Sequence, residues 1–188
     1  MHALDRAALV EALSELIAVL RLRGVTGRIQ VFGGAALALC HFDRGTTVDI
    51  DARLRFDADV RESVARIGDE RGWGSDWLND DGAFFIPAYG RDVEWIEVFE
   101  GDGLVVEIAS AEALLAMKLR AARPGRDGRD ISRLMVICGV SSVSELDDVH
   151  EAYYPGDGLS PQAVRLVERI IDVGLPERPE TPTPPIIG

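Results

Sequence analysis

Residues 32–51, FGGAALALCHFDRGTTVDID, constrain the fold of this chain more than any other stretch. An apolar run from Ile29 to Phe32 meets the pair Gly33-Gly34. A small-residue helical segment follows, and then Thr47-Val-Asp-Ile-Asp returns in a β-branched context. The expected order is strand, tight turn, helix, strand. Two adjacent glycines let the backbone come close to a phosphate, and a helix start offers unpaired N–H groups. Residues i and i+2 of a strand point to one face, so Asp49 and Asp51 are expected to project together and share a divalent cation. The stretch therefore implies a phosphate cradle beside a carboxylate pair.

The remaining elements are read from periodicity and end signals. Leu9, Leu13, Leu16, Ile17 and Leu20 lie on one face of a helix expected over 5–23, ended by Gly24. Strands are expected at 28–32 and 47–54, with a short helix at 34–41 between them. A helix over 58–71 closes at Gly72, and the Gly, Asp and Trp-rich segment 72–82 reads as a loop. Further strands are expected at 83–87, 92–99 and 103–108. The second half is helical: Ser110 caps 111–122, a helix near 127–138 stops at Gly139, Ser144 caps one to about Tyr153, and Ser160-Pro161 opens one to about Val173. The fold class expected is α+β, a mixed sheet flanked by helices and followed by a helical C-terminal lobe. The expected divisions are a sheet lobe with its N-terminal helix at 1–109, a helical lobe at 110–175, and a flexible tail at 176–188 that holds five of the nine prolines.

Composition excludes several classes. With 188 residues and 47% apolar content the chain suits one domain or two small lobes. No apolar run approaches the roughly 18–20 residues of a membrane span, so no membrane partner is expected. The first residues lack a secretory pattern, and a cytoplasmic location is expected. Cys40 and Cys138 read as reduced core thiols, and His2, His41 and His150 have no zinc spacing. A net charge of −12 argues against nucleic-acid binding over the whole surface. The basic residues are concentrated, however: 118–133 is +4, with Lys118, Arg120, Arg123, Arg126, Arg129 and Arg133 against Asp127 and Asp130. Nineteen of the twenty basic residues are arginine, so Lys118, the only lysine, stands out. Its i±3 and i±4 neighbours Leu114, Leu115, Ala121 and Ala122 are apolar, which predicts a stem on apolar surface with the ammonium emerging at an edge.

Gly-Gly, then Thr-x-Asp-x-Asp, then Ala-Met-Lys-Leu on a helix, then Arg-Asp-x-x-Asp-Ile is an order that resembles nucleotidyltransferases of the polymerase-β type. Within them it is most similar to the AbiEii/MenT branch, which includes toxins of toxin–antitoxin and phage-defence systems. The resemblance spans residues 31–135. It implies the nucleotidyltransferase fold, a triphosphate turn at Gly33 and Gly34, a Mg²⁺ site at Asp49 and Asp51, and a phosphate contact at Thr47. It also implies a catalytic helical lysine at Lys118 that binds the nucleotide through its triphosphate oxygens, and a late acidic motif at Asp127 or Asp130. The family's third strand carboxylate has its nearest counterpart in Glu97, with Glu94 or Asp127 as alternatives.

The activity implied is NMP transfer from an NTP to an acceptor, the tRNA 3′ end by resemblance, guided by the basic segment 118–133. Such a toxin implies a cognate antitoxin as a partner. Two other readings stay open: transfer to a small molecule of the aminoglycoside kind or to a protein, and a non-catalytic regulatory module that keeps the fold. The residues alone also leave plainer roles. Asp49 and Asp51 are compatible with a solvent-facing edge strand, and Thr47 is simply a good strand residue. Asp127 and Asp130, three apart on one helix face, either orient Lys118 or Arg126, assist proton removal, or favour the helix start. Arg44 reads as a phosphate contact or a turn arginine, and Trp73, Trp77 and Trp95 as base-stacking or packing residues.

Overall fold

The computed structural model describes residues 3–188; His2 lies outside the described residues. The fold is α+β, with a five-stranded mixed sheet and seven α-helices among the described residues. The chain divides into two compact units. One holds residues 1–83, 95–109 and 181–188, the other 84–94 and 110–180. The chain passes from one unit to the other at 109/110, with 84–94 grouped with the helices and the last eight residues with the sheet.

In the sheet unit, α1 (Arg6–Leu22) starts where the Asp5 carboxylate accepts from the Ala8 N–H, 2.9 Å away. Its stripe Leu9, Leu13, Leu16, Ile17 and Leu20 is fully buried. The strands are β1 (Gly27–Val31), β2 (Ile50–Phe56), β3 (Leu78–Asn79), β4 (Trp95–Gly101) and β5 (Leu104–Ala109), in sheet order β3-β2-β1-β5-β4. Central β1 runs antiparallel to β2 and parallel to β5. Alternation divides the sheet cleanly. Ile29, Val31, Ile50, Ala52, Val106 and Ile108 are fully buried in the core. Arg28 and Gln30 of β1, Arg53 and Arg55 of β2, and Glu107 of β5 occupy the alternate positions, and so line the other face.

Between β1 and β2 the chain forms α2 (Gly33–Ala36), which continues as a π turn at Leu37–His41 closed by the Phe42 N–H on the Leu37 carbonyl, 3.0 Å away. The segment expected at 34–41 is thus helical but wound wide. Strand β2 begins at Ile50 and not at Thr47, because Thr47 exchanges two backbone hydrogen bonds with Leu4, of 2.7 and 2.9 Å. Helix α3 (Arg61–Arg71) ends at Gly72, whose φ of +70° suits glycine. Within the expected loop, Leu78–Asn79 pair with Ile50 and Asp51. The strand expected at 83–87 is absent: Ala83–Phe85 form a 3₁₀ turn.

The helical unit contains α4 (Ala111–Ala121), α5 (Gly128–Cys138), α6 (Val143–Tyr153) and α7 (Pro161–Val173). Ser110 and Ser160 cap α4 and α7 as expected. The cap of α6 is Ser142, not Ser144, because Glu145 returns the bond to complete a capping box. The tail from Pro176 has no helix or strand, yet Pro185 and Ile187 are buried. The Gly188 N–H donates to Ser14 Oγ at 3.3 Å, and Arg6 donates to the Thr183 carbonyl. No helix among the described residues is long and apolar enough to cross a membrane.

Leu13 is fully buried and Leu22 is 90% exposed on the same helix. Leu13→Ala is expected to lower stability by about 2–5 kcal/mol in urea unfolding, and Leu22→Ala by less than about 0.5 kcal/mol.

Candidate functional site

The sheet unit brings Gly33, Gly34, Thr47 and Asp51 together. Gly33 turns the chain out of β1 at φ +66°, and a Cβ there would lie 2.5 Å from Asp51 Oδ2. A Cβ on Gly34 would meet Thr47 Oγ1 at 2.8 Å and the Arg44 guanidinium at 3.1 Å. Gly82 approaches the same carboxylate: a Cβ there would lie 3.1 Å from Asp51 Oδ1 and 2.9 Å from the Phe32 ring. Glycine is therefore required at Gly33 on two grounds, left-handed backbone and close approach. The Phe32 N–H donates to the Asp51 carbonyl at 3.0 Å, which holds this carboxylate beside the turn. Arg44 Nη1 donates to the Thr46 carbonyl at 2.9 Å, so the arginine folds back over its own loop. Thr47 is buried, and Asp49 and Asp51 are half-buried.

Asp49 precedes β2 and lies in irregular backbone, so strand alternation places Asp51 but not Asp49. Among the described residues no cluster of three His, Cys, Asp or Glu side chains forms a metal site. Glu97 does not complete one. It lies on β4, separated from β2 by β5 and β1, about 14 Å away at ordinary strand spacing. Glu94 and Asp127 belong to the helical unit.

A buried polar row on the sheet went unforeseen. Arg53 Nε donates to Gln30 Oε1 at 2.8 Å, Gln30 Nε2 donates to Glu107 Oε2 at 2.8 Å, and Arg28 pairs with the same carboxylate. Gln30 and Glu107 are 6% and 8% exposed. The sequence signal was a glutamate inside the apolar run LVVEIA. Arg53 also lies 5.6 Å over the Trp95 ring. Trp77 is core, its Nε1 donating to the Val64 carbonyl at 2.8 Å, and Trp73 packs against it.

In the helical unit Lys118, Asp127 and Asp130 form one buried cluster. Lys118 Nζ lies 2.8 Å from Asp127 Oδ1 and 3.0 Å from Asp130 Oδ2. The lysine is 5% exposed, so its ammonium does not emerge at an edge as its apolar neighbours suggested. Arg123 adds its backbone N–H and its guanidinium to Asp127, at 2.9–3.1 Å. Burial opposes ionisation of Asp127, but the Arg123 hydrogen bonds and the Lys118 charge outweigh it and hold the carboxyl below its ordinary value. Arg120 pairs with Asp157 at 2.9 Å and stacks on Tyr154. Lys118, Arg120 and Arg123 are therefore engaged in ion pairs, and Arg120, Arg126 and Arg129 are the exposed cations of the +4 segment.

The other singled-out side chains are packing groups. His41 Nε2 lies 2.8 Å from the Ala109 carbonyl, and burial lowers its pKa. Burial likewise pushes the Cys40 and Cys138 thiols up to about 11, and both are free.

The chain matches no family model, no curated protein and no solved structure.

Gly33→Ala is expected to cost about 1–3 kcal/mol, since it combines a positive φ with a clash at Asp51; chemical unfolding measures this. Lys118→Met takes the ammonium from two buried carboxylates, Asp127 keeping its Arg123 hydrogen bonds, and is expected to cost about 3 kcal/mol at pH 7. The folded pKa of Asp127 is depressed, so its contribution is complete above the unfolded value near 3.8 and fades as pH falls toward the folded value. The deficit of Lys118→Met should therefore shrink in unfolding measured below pH 4.

Proposed function

We propose that this chain is a nucleotidyltransferase of the polymerase-β type, similar to the AbiEii/MenT branch, which transfers NMP from an NTP to the 3′ end of tRNA. One observation carries the reading: Gly33 and Gly34 lie against Asp51, Thr47 and Arg44, so residues 15 or so apart in sequence converge on one turn. A phosphate needs backbone access, a hydroxyl donor and a cation, and that turn supplies all three. Further support comes from Lys118, Asp127 and Asp130, which the resemblance singles out separately and which are in mutual contact.

The donor set fits a hard divalent cation. Asp51 packs Oδ2 against Gly33 and Oδ1 against Gly82, and Asp49 stands two residues before it. Carboxylate oxygens completed by phosphate oxygens and water are the ligands Mg²⁺ takes. Asp49 and Asp51 would hold the metal, which supplies charge neutralisation on the triphosphate. The Gly33-Gly34 turn accepts the phosphates against the backbone. Thr47 Oγ1 donates to a phosphate oxygen, and the Arg44 guanidinium stabilises the negative charge that spreads as the acceptor 3′-hydroxyl, losing its proton, attacks the α-phosphorus in line and pyrophosphate leaves. In the helical unit Asp127 and Asp130 fix the Lys118 ammonium, and Arg123 fixes Asp127, so this cluster acts through position.

The expected product is ³²P-labelled tRNA after incubation of the chain with α-labelled NTPs, Mg²⁺ and total tRNA. Asp51→Asn should reduce labelling by about a hundredfold or more. Label on protein or on a cationic small molecule, with none on RNA, would replace the acceptor. No transfer and no NTP binding would support a non-catalytic module.

A further inference from the structure

Strand β2 has a free edge. Its pairing with β3 is confined to Ile50 and Asp51, so residues 52–56 have no strand on that side among the described residues. Bare edges recruit strands, and proteins normally shield them. Here the edge opens onto a cavity of about 570 Å³, within the range of ligand sites. Its floor is apolar, with half-buried Leu54 and Phe56 beside buried Val64. Its rim is acidic, with Asp76, Asp80 and Asp81, all exposed. Asp59 at the rim is neutralised by Arg61, 2.6 Å away, whereas none of the other three forms an ion pair among the described residues.

We propose that this edge and its cavity take an extended segment of a partner protein, added to β2 as a strand. Backbone hydrogen bonds to residues 52–56 supply affinity, as in strand addition generally. Alternate side chains descend onto Leu54 and Phe56, so they are apolar, and basic side chains flanking them meet Asp76, Asp80 and Asp81. Intervening side chains fall on the opposite face beside Arg53 and Arg55, where an acidic residue is favoured. Charge argues against a second copy as the occupant. The sheet's other edge, β4, carries exposed Glu97 and Glu100, and the chain's net charge is −12. The proposal is independent of the enzymatic reading.

The test uses the full chain and a fluorescent, end-blocked heptapeptide, Lys-Thr-Val-Glu-Val-Thr-Lys, in anisotropy titrations. Binding is expected, with slowed amide exchange at Ala52, Leu54 and Phe56, whose N–H groups point away from β1. Exchanging its lysines for glutamate, N-methylating its backbone, or using the chain with Asp80→Lys and Asp81→Lys should each weaken binding roughly tenfold or more. Both aspartates are exposed, and Asp76→Lys serves if the double variant fails to fold. Absence of binding, or equal binding of the N-methylated peptide, overturns the proposal. So does protection of 52–56 in a self-associated chain without peptide.

Discussion

The sheet unit is registered against β1. This five-residue strand pairs with β2 on one side and β5 on the other, and its last residue, Val31, lies opposite Ala52 and Ile108. Side chains alternate with period two, so a slip of one residue would turn Arg28 and Gln30 into the apolar core and Ile29 and Val31 onto the polar face. The same register sets Gly33 beside Asp51, because the chain leaves β1 one residue past Val31, where β2 begins. Core burial and site geometry therefore rest on one pairing. The hydrogen-bonded row Arg53–Gln30–Glu107 reinforces it from the polar face, where a buried carboxylate tolerates only a register that keeps both donors in place.

The helical unit has a different organising principle. Its α4 and α5 are joined through charge as well as apolar packing, since Lys118 of α4 meets Asp127 at the entry of α5 and Asp130 in its first turn. A buried lysine is costly alone, and so is a buried carboxylate. Together, with Arg123 closing the loop between them, they define one approach of the two helices, because any other leaves an unpaired charge inside.

Much of this organisation was legible in the residues, and the exceptions share a cause. Helix ends with local chemistry, at Ser110, Gly72, Gly139 and Ser160-Pro161, were readable because capping acts within a turn. The α6 cap was displaced from Ser144 to Ser142 by a capping box that both serines could begin to suggest. Strand limits were less readable: Thr47 looks like a strand residue and is taken by Leu4, 43 positions away. The approach of the glycines to Asp51 and Thr47 was foreseeable, whereas the burial of the Lys118 ammonium was not. Its apolar neighbours describe the stem, but the ammonium's surroundings depend on where α5 docks. Glu107 was overlooked because its partners, Arg28 and Gln30, lie on another strand. The π turn likewise cannot be seen locally, since an i→i+5 winding uses the same residues as an α-helix.

The burial of Lys118 reaches beyond folding. It is the chain's only ε-amine, and it is enclosed by two carboxylates. All nineteen other basic side chains are guanidinium groups. The folded surface therefore presents no lysine nitrogen to acyl donors, crosslinkers or conjugating enzymes. Side-chain acetylation and isopeptide tagging have no target on the native molecule, and amine chemistry at Lys118 becomes a reporter of opening in the helical unit.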